Sequence, residues 1–381
     1  MEPLRIPQLM LLILLALLVQ PNMLLAADAA DERPPFSIAD AEWRTDFSRH
    51  TVPLDEIRAG GPPRDGIPPI DHPQFVSFAA ANPWLHDREP VIAVQRNGVA
   101  KAYPLQILIW HEIVNDTIGE EPIAVTFCPL CNSAVAFQRQ LDEHVLDFGT
   151  TGRLRHSDLV MWDRQTESWW QQLTGEAIIG TLAGKQLSMV PASIVSYAAF
   201  KQTFPDGTVL SKATGFRREY GHNPYRGYDA IDSAPFLLSE SPDPRLPPME
   251  RVVALTLEGQ DKAYPYRVLA DQRVIYDTVG NQNIVVLYSA STASALDKSS
   301  IAQSRDVGAT GVFVPRLDGR KVTLVAQGDV FTDTETQSTW SILGKAIAGP
   351  LAGRHLPPVV HGDHLAFAWL VFKPQTQIYA P

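Results

Sequence analysis

Apolar and polar residues alternate over short runs along most of this chain, and Gly, Pro, Asn and Asp punctuate the runs. The pattern predicts many short β-strands joined by tight turns. Ile123-Ala124-Val125-Thr126-Phe127 reads as a strand, and Glu112 to Thr117 supplies an antiparallel partner across the turn-like Ile118 to Pro122. Folding this hairpin about Glu120 sets Glu112 opposite Cys128 and His111 beside Pro129. A one-residue slip would turn every side chain to the other face. A second hairpin is expected to join Ala134-Val135-Ala136-Phe137 to Val145-Leu146-Asp147-Phe148 through Asp142-Glu143-His144. Extended backward, it brings Gly152 and Arg153 toward Cys131, with Arg155, His156 and Asp158 just beyond. Helices are expected at Leu105 to Trp110, with Pro104 at the start, at Thr166 to Leu173 and at Val195 to Phe204. No regular strand–helix–strand alternation runs through the chain, so the expected class is a β-rich α+β fold rather than a doubly wound parallel sheet.

The pattern also repeats. At an offset of 161 residues, Lys101-Ala102-Tyr103-Pro104 meets Lys262-Ala263-Tyr264-Pro265, and Asp116-Thr117-Ile118-Gly119 meets Asp277-Thr278-Val279-Gly280. With a drifting offset, Gly149 to Gly152 meets Gly308 to Gly311, and Asp163 to Trp170 meets Asp333 to Trp340. Two long copies point to a duplicated module, packed as a pseudo-symmetric pair, rather than a solenoid. The expected organisation is a signal peptide at 1–27, a Pro-rich leader at 28–88 and copy one at 89–210. A connector at 211–249, rich in aromatic residues and then in Pro, leads to copy two at 250–381. Cys128 meets Ser289, Cys131 meets Thr292, His111 meets Gln272 and Glu112 meets Arg273. Shared residues serve the fold; those present only in copy one are candidates for chemistry, unless the copies have merely drifted.

Composition narrows the partners. The formal net charge of −10 and the absence of a Lys/Arg stripe exclude a nucleic-acid partner. Arg5, the apolar run Leu9 to Val19, Pro21 and the small residues near Ala26 match a secretory signal, and no later run is long enough to span a bilayer. The mature chain is therefore expected to be periplasmic or secreted, without a membrane span.

The chain holds only two cysteines, in Cys128-Pro129-Leu130-Cys131. Three readings stand. In thiol–disulfide redox, Cys128 is the nucleophile and Cys131 the resolving thiol, with His111 and Glu112 assisting and a protein thiol or small molecule as partner; the chain is then a thiol-dependent oxidoreductase. In a metal or cofactor site, Cys128, Cys131, His111 and His156 hold a zinc or copper ion. In the third reading the chain is an exported interaction protein and the pair is a structural disulfide, worth roughly 2 kcal/mol for so short a loop. Asn132 follows Cys131, so the pattern for covalent haem attachment is absent. Arg153, Arg155, Trp169 and Arg217 are candidates for binding a cofactor. The segment Thr214 to Asp229, dense in Gly, Tyr and Arg, would cap a site and hold an anion through Arg217, Arg218 or Arg226.

Several motifs carry a family resemblance: Lys101 to Leu105, His111 to Asp116, Phe127 to Ala134, Leu146 to Gly149, Ser157 to Met161, Asp163 to Thr166 and Asn223-Pro224-Tyr225. Together they resemble the bacterial and archaeal domain of unknown function 3179 family. The resemblance spans most of the mature chain. It implies an exported protein and brings no established activity.

Overall fold

A computed structural model describes residues 43–381. The expected signal peptide lies outside the described residues. The fold is β-rich α+β: short strands dominate, and the α-helices run for four to seven residues.

Two series of sheets follow one another. In the first, one sheet has the order Ala192–Ser196, Pro90–Arg96, Val99–Pro104, Thr208–Leu210 and Phe75–Val76. In the second, Gly362–Leu365, Arg251–Leu257, Gln260–Pro265 and Gln377–Ile378 take the same order. The sheet of Ser133–Gln138, Glu121–Cys128 and Ile113–Ile118 recurs as Ala309–Phe313, Gln282–Ser289 and Val274–Val279. A third sheet, from Phe148–Arg155 through Asp158–Asp163 and Trp169–Gln171 to Ala177–Ile179, recurs as Leu324–Gln327 through Ala346–Ala348.

Side-chain contacts recur with the sheets. Tyr103 donates to Asp116, which also pairs with Lys101; Tyr264 donates to Asp277, which pairs with Lys262. Trp170 Nε1 donates to Asp163, and Trp340 Nε1 to Asp333, at 2.9 Å each. Across the series, Gly362–Leu365 packs on Ser133–Gln138, and Ala192–Ser196 packs on Ala309–Phe313. One apolar core therefore contains Cys128 and Cys131 together with Phe367 and Trp369.

Tight turns set the registers. Asn97-Gly98, Gly119-Glu120, His156-Ser157 and Glu258-Gly259 each place two consecutive residues at positive φ, as two-residue type I′ hairpins require. This corrects the expected hairpin about Glu120. The loop is Gly119-Glu120, Ile113 pairs with Thr126, and the Phe127 N–H donates to the Glu112 carbonyl. The register therefore differs by one residue from the expected one, and His111 rather than Glu112 comes level with Cys128.

The second expected hairpin survives only at its tip, where Gln140–Leu141 pairs with His144–Val145. Beyond it the chains part. Ser133–Gln138 finds a longer partner in Glu121–Cys128, and Phe148–Arg155 finds one in Asp158–Asp163. Gly308 to Gly311, expected to match Gly149 to Gly152, opens the strand beside Gln282–Ser289 instead, in the position Ser133–Gln138 holds in the first series.

The helices at Leu105–Leu108 and Tyr197–Thr203 form within the expected segments. Thr166 to Leu173 does not form one. Asp163 accepts from Thr166 N and Oγ1, Glu167 turns to φ 56°, and Trp169–Gln171 pairs with Asp158–Asp163. Alternation along that strand sends Trp169 and Trp170 into separate apolar clusters. The described part of the leader is woven in: Ile57–Ala59 pairs with Phe148–Arg155, and Phe75–Val76 with Thr208–Leu210.

Candidate functional site

The Cys-Pro-Leu-Cys segment is a hairpin loop. Cys128 ends its strand and pairs with Ser133; Pro129–Cys131 makes one 3₁₀ turn, and Asn132 closes it in the left-handed region at φ 48°, ψ 33°. Pro129 suits the first helical position because it lacks an N–H, and Asn tolerates the left-handed conformation better than most residues. Below the loop, Gln172 donates to Thr126 Oγ1 and to the Ser133 carbonyl.

The tight turn His156-Ser157 starts the strand Asp158–Asp163 and delivers Asp158 to the cysteines. Both sulfurs and a carboxylate oxygen of Asp158 lie within 4.8 Å of one another, and all three residues are buried. Gln171 Nε2 at 2.6 Å and Leu173 N at 3.0 Å both donate to Asp158 Oδ2. Asp158 Oδ1 is buried without a hydrogen-bond partner. The Cys128 thiol points to the Ser157 carbonyl at 3.9 Å.

Electrostatics set this cluster apart. Cys128 and Cys131 are free thiols. Burial raises the Cys128 thiol, and burial together with its neighbour Cys128 holds Cys131 well above the ordinary thiol range. Burial lifts Asp158 to about 6, although the bonds from Gln171 and Leu173 pull the other way. Glu112, at φ 58°, is buried close by; burial and the charge of Asp158 push it to about 8. Among the described residues no ion pair reaches Asp158 or Glu112. Four buried acidic groups thus lie close together with no cation bonded to them, a costly arrangement unless protons or a metal ion neutralise it.

The expected histidines are not in this group. His111 Nδ1–H donates to the Pro68 carbonyl at 2.7 Å, and the Tyr220 hydroxyl donates to Nε2 at 2.7 Å, a tautomer fixed by the carbonyl's inability to donate. With both nitrogens engaged, His111 joins no cluster of metal-ligating atoms. His156 sits in the turn itself, with Nε2 3.2 Å from Glu56 and its ring against Phe372. Of the expected set Cys128, Cys131, His111 and His156, the structure brings together the two cysteines, and the third group beside them is Asp158.

Burial pushes the His111 imidazole down to about 4, with Arg218 adding to the shift. A histidine with an ordinary value near 6.5 when unfolded and about 4 when folded binds its proton preferentially in the unfolded chain. Stability is therefore expected to be level above pH 6.5 and to fall as pH drops toward 4, by roughly 3 kcal/mol at most from this residue. Urea unfolding of the native chain and of His111→Gln across that range checks this: the variant should lose that part of the slope.

The other candidates are dispersed. Trp169 packs edge-on against Trp43 and Phe47, with ring centroids at 5.0 and 5.3 Å, away from the thiols. Arg155 bonds Glu56 at 2.7 Å and lies over Phe372. Arg217, Arg218 and Arg226 are exposed, and none lines the cavity beside the cysteines; Arg153 does. From the connector, Tyr225 and Tyr228 line that cavity, and Tyr228 packs against the apolar cluster that holds both cysteines.

Asp158 is the member of this cluster that local reading did not name as a site residue. Its signal was a lone acid opening the apolar run Leu159 to Trp162 directly after a turn.

The family model described as Protein of unknown function (DUF3179) matches residues 64–376. No curated protein and no solved structure matches the chain.

Proposed function

The chain belongs to this family of proteins of unknown function, and from that premise we propose that it is a metal-binding protein whose site is Cys128, Cys131 and Asp158. One observation carries the reading. Two thiols and a carboxylate oxygen converge within 4.8 Å in a buried place, and Asp158 Oδ1 has no partner there. Sulfurs around a tetrahedral zinc, each about 2.3 Å from the ion, stand about 3.8 Å apart, a spacing the cluster accommodates. A metal also answers the charge problem, because binding it displaces the thiol protons that burial otherwise retains. Two thiolates with one carboxylate favour zinc; a softer ion such as copper(I) would prefer sulfur or imidazole to the carboxylate. Three protein ligands leave a fourth position for water or another molecule, as in catalytic rather than structural zinc sites.

Gln171 and the Leu173 amide would orient Asp158 by holding Oδ2, which leaves Oδ1 for the ion. Elemental analysis of the full chain, purified without a chelating tag, should find about one zinc per chain, with thiols that react only after a chelator is added. A metal-free chain whose cysteines cycle through a disulfide would replace this reading with the redox one.

We also propose that the two series are copies of one module, the first spanning 89–210 and the second 250–381. The recurring strand orders and the repeated Tyr–Asp–Lys and Trp–Asp contacts support this. Only the first copy keeps the cysteines. The apolar run Leu9 to Val19 and the small residues after it support export, with the periplasm or the cell exterior as the destination.

A further inference from the structure

Beside the thiol cluster lies a cavity of about 730 Å³. Leu130, Leu154 and Leu159 wall it from the first series, and Phe236 and Leu237 wall it from the connector. That size suits a drug-sized molecule, and a largely apolar wall with a few convergent polar groups is the usual form of such a site. Two polar groups on the wall have no hydrogen-bond partner among the described residues: the Glu112 carboxyl and the Tyr225 hydroxyl. Both line this one cavity. Arg153 also lines the wall, but it is already engaged within the protein.

Leu237 adds an independent sign. Its backbone stands at φ 51°, in the left-handed region, where leucine is disfavoured and Asn or Gly is at ease. The conformation places an apolar side chain on the cavity wall. Local strain kept in that way is characteristic of ligand clamps.

We propose that this cavity binds an uncharged amphiphilic small molecule, with its apolar body against Leu159 and Leu237 and a hydroxyl or carbonyl head at Tyr225 and Glu112. The head is uncharged because Arg153, the cation on the wall, is already engaged within the protein, so a buried anion would lack a counter-charge there. The inference goes beyond the metal reading and does not depend on it.

The test is fluorescence titration of the full chain, zinc-loaded and metal-free, with the neutral probe phenylnaphthylamine, followed by displacement with decanol or decanoate at neutral pH. Saturable binding in both metal states is expected, with decanol displacing the probe at least about tenfold more effectively than decanoate. Leu237→Asn should weaken the probe about tenfold by removing apolar wall. Its melting temperature should hold or rise, since Asn suits the backbone there. Tyr225→Phe should weaken decanol about fivefold, the loss of one hydrogen bond, and leave the probe unaffected. No saturable binding in either metal state, decanoate displacing as well as decanol, or an unchanged Leu237→Asn would each overturn the proposal. Probe binding to a chain that never takes up zinc would uphold it while the metal reading fails.

Discussion

Cys131→Ser is expected to lower zinc affinity about a hundredfold or more and to remove most of the thermal stabilisation by zinc. Zinc held by a full set of protein ligands binds with about 10–16 kcal/mol, so each ligand carries roughly 3 kcal/mol. A serine hydroxyl in that place is a far poorer ligand, because it stays protonated where a thiol gives up its proton to the metal. At zinc a thousandfold above the dissociation constant, the native chain should gain about 4 kcal/mol of stability, and a variant weakened a hundredfold about 1.4 kcal/mol at the same concentration. Competition with a chromogenic chelator measures the affinity, and melting with and without zinc measures the linkage. Gln171→Leu should fall between the two, losing roughly tenfold, because it frees Asp158 Oδ2 without removing a ligand. Undiminished zinc binding by Cys131→Ser would end the assignment of this site.

Asp229→Ala should be the most destabilising single substitution outside the apolar core, at about 3–5 kcal/mol. Asp229 is buried, and its Oδ2 accepts from Arg251 at 2.7 Å and from Ser294 at 2.6 Å, and pairs with Arg305 at 2.9 Å. Burial alone would raise this carboxyl, yet the Arg251 and Arg305 guanidiniums and the Ser294 hydroxyl hold it below the usual range. Removing it strands the Arg251 guanidinium, 12% exposed, with no counter-charge, while Arg305 keeps Asp297. The loss has a second consequence. Asp229 directly follows Tyr228 and ties the connector to the second series, so the cap over the cysteines should loosen. A lower melting temperature, faster proteolysis between residues 211 and 249 and thiols newly open to reagent are expected together. A fall in melting temperature with fully protected thiols would mean that the cap is held by its aromatic contacts instead.

Much of this architecture follows from local chemistry. Asn97-Gly98 announces a two-residue hairpin, and Pro104 and Ser196 stand directly before short helices. The repeated Lys-Ala-Tyr-Pro and Asp-Thr segments build the same contact twice, because a tyrosine and an aspartate thirteen positions apart meet across neighbouring strands in both series. The Cys-x-x-Cys pair needed only its own loop to be found.

What local chemistry leaves open is register and partner. At Gly119-Glu120 a two-residue loop and a three-residue loop are equally legible in sequence, and choosing between them moves His111 relative to Cys128. Trp169 and Trp170 sit in a segment whose composition suits a helix. Hydrogen bonds from Asp163 and pairing with Asp158–Asp163 make it a strand.

The sequence by itself determined a β-rich chain with an internal repeat and a lone pair of cysteines, because alternation, turn residues and spacing act over a few neighbours. Only the tertiary structure decided that the third acidic group beside those cysteines is Asp158 and not an imidazole. That choice depends on how a hairpin about thirty residues away docks against the thiol loop. Docking of that kind is settled by burial summed over whole sheets, which no short stretch of residues records.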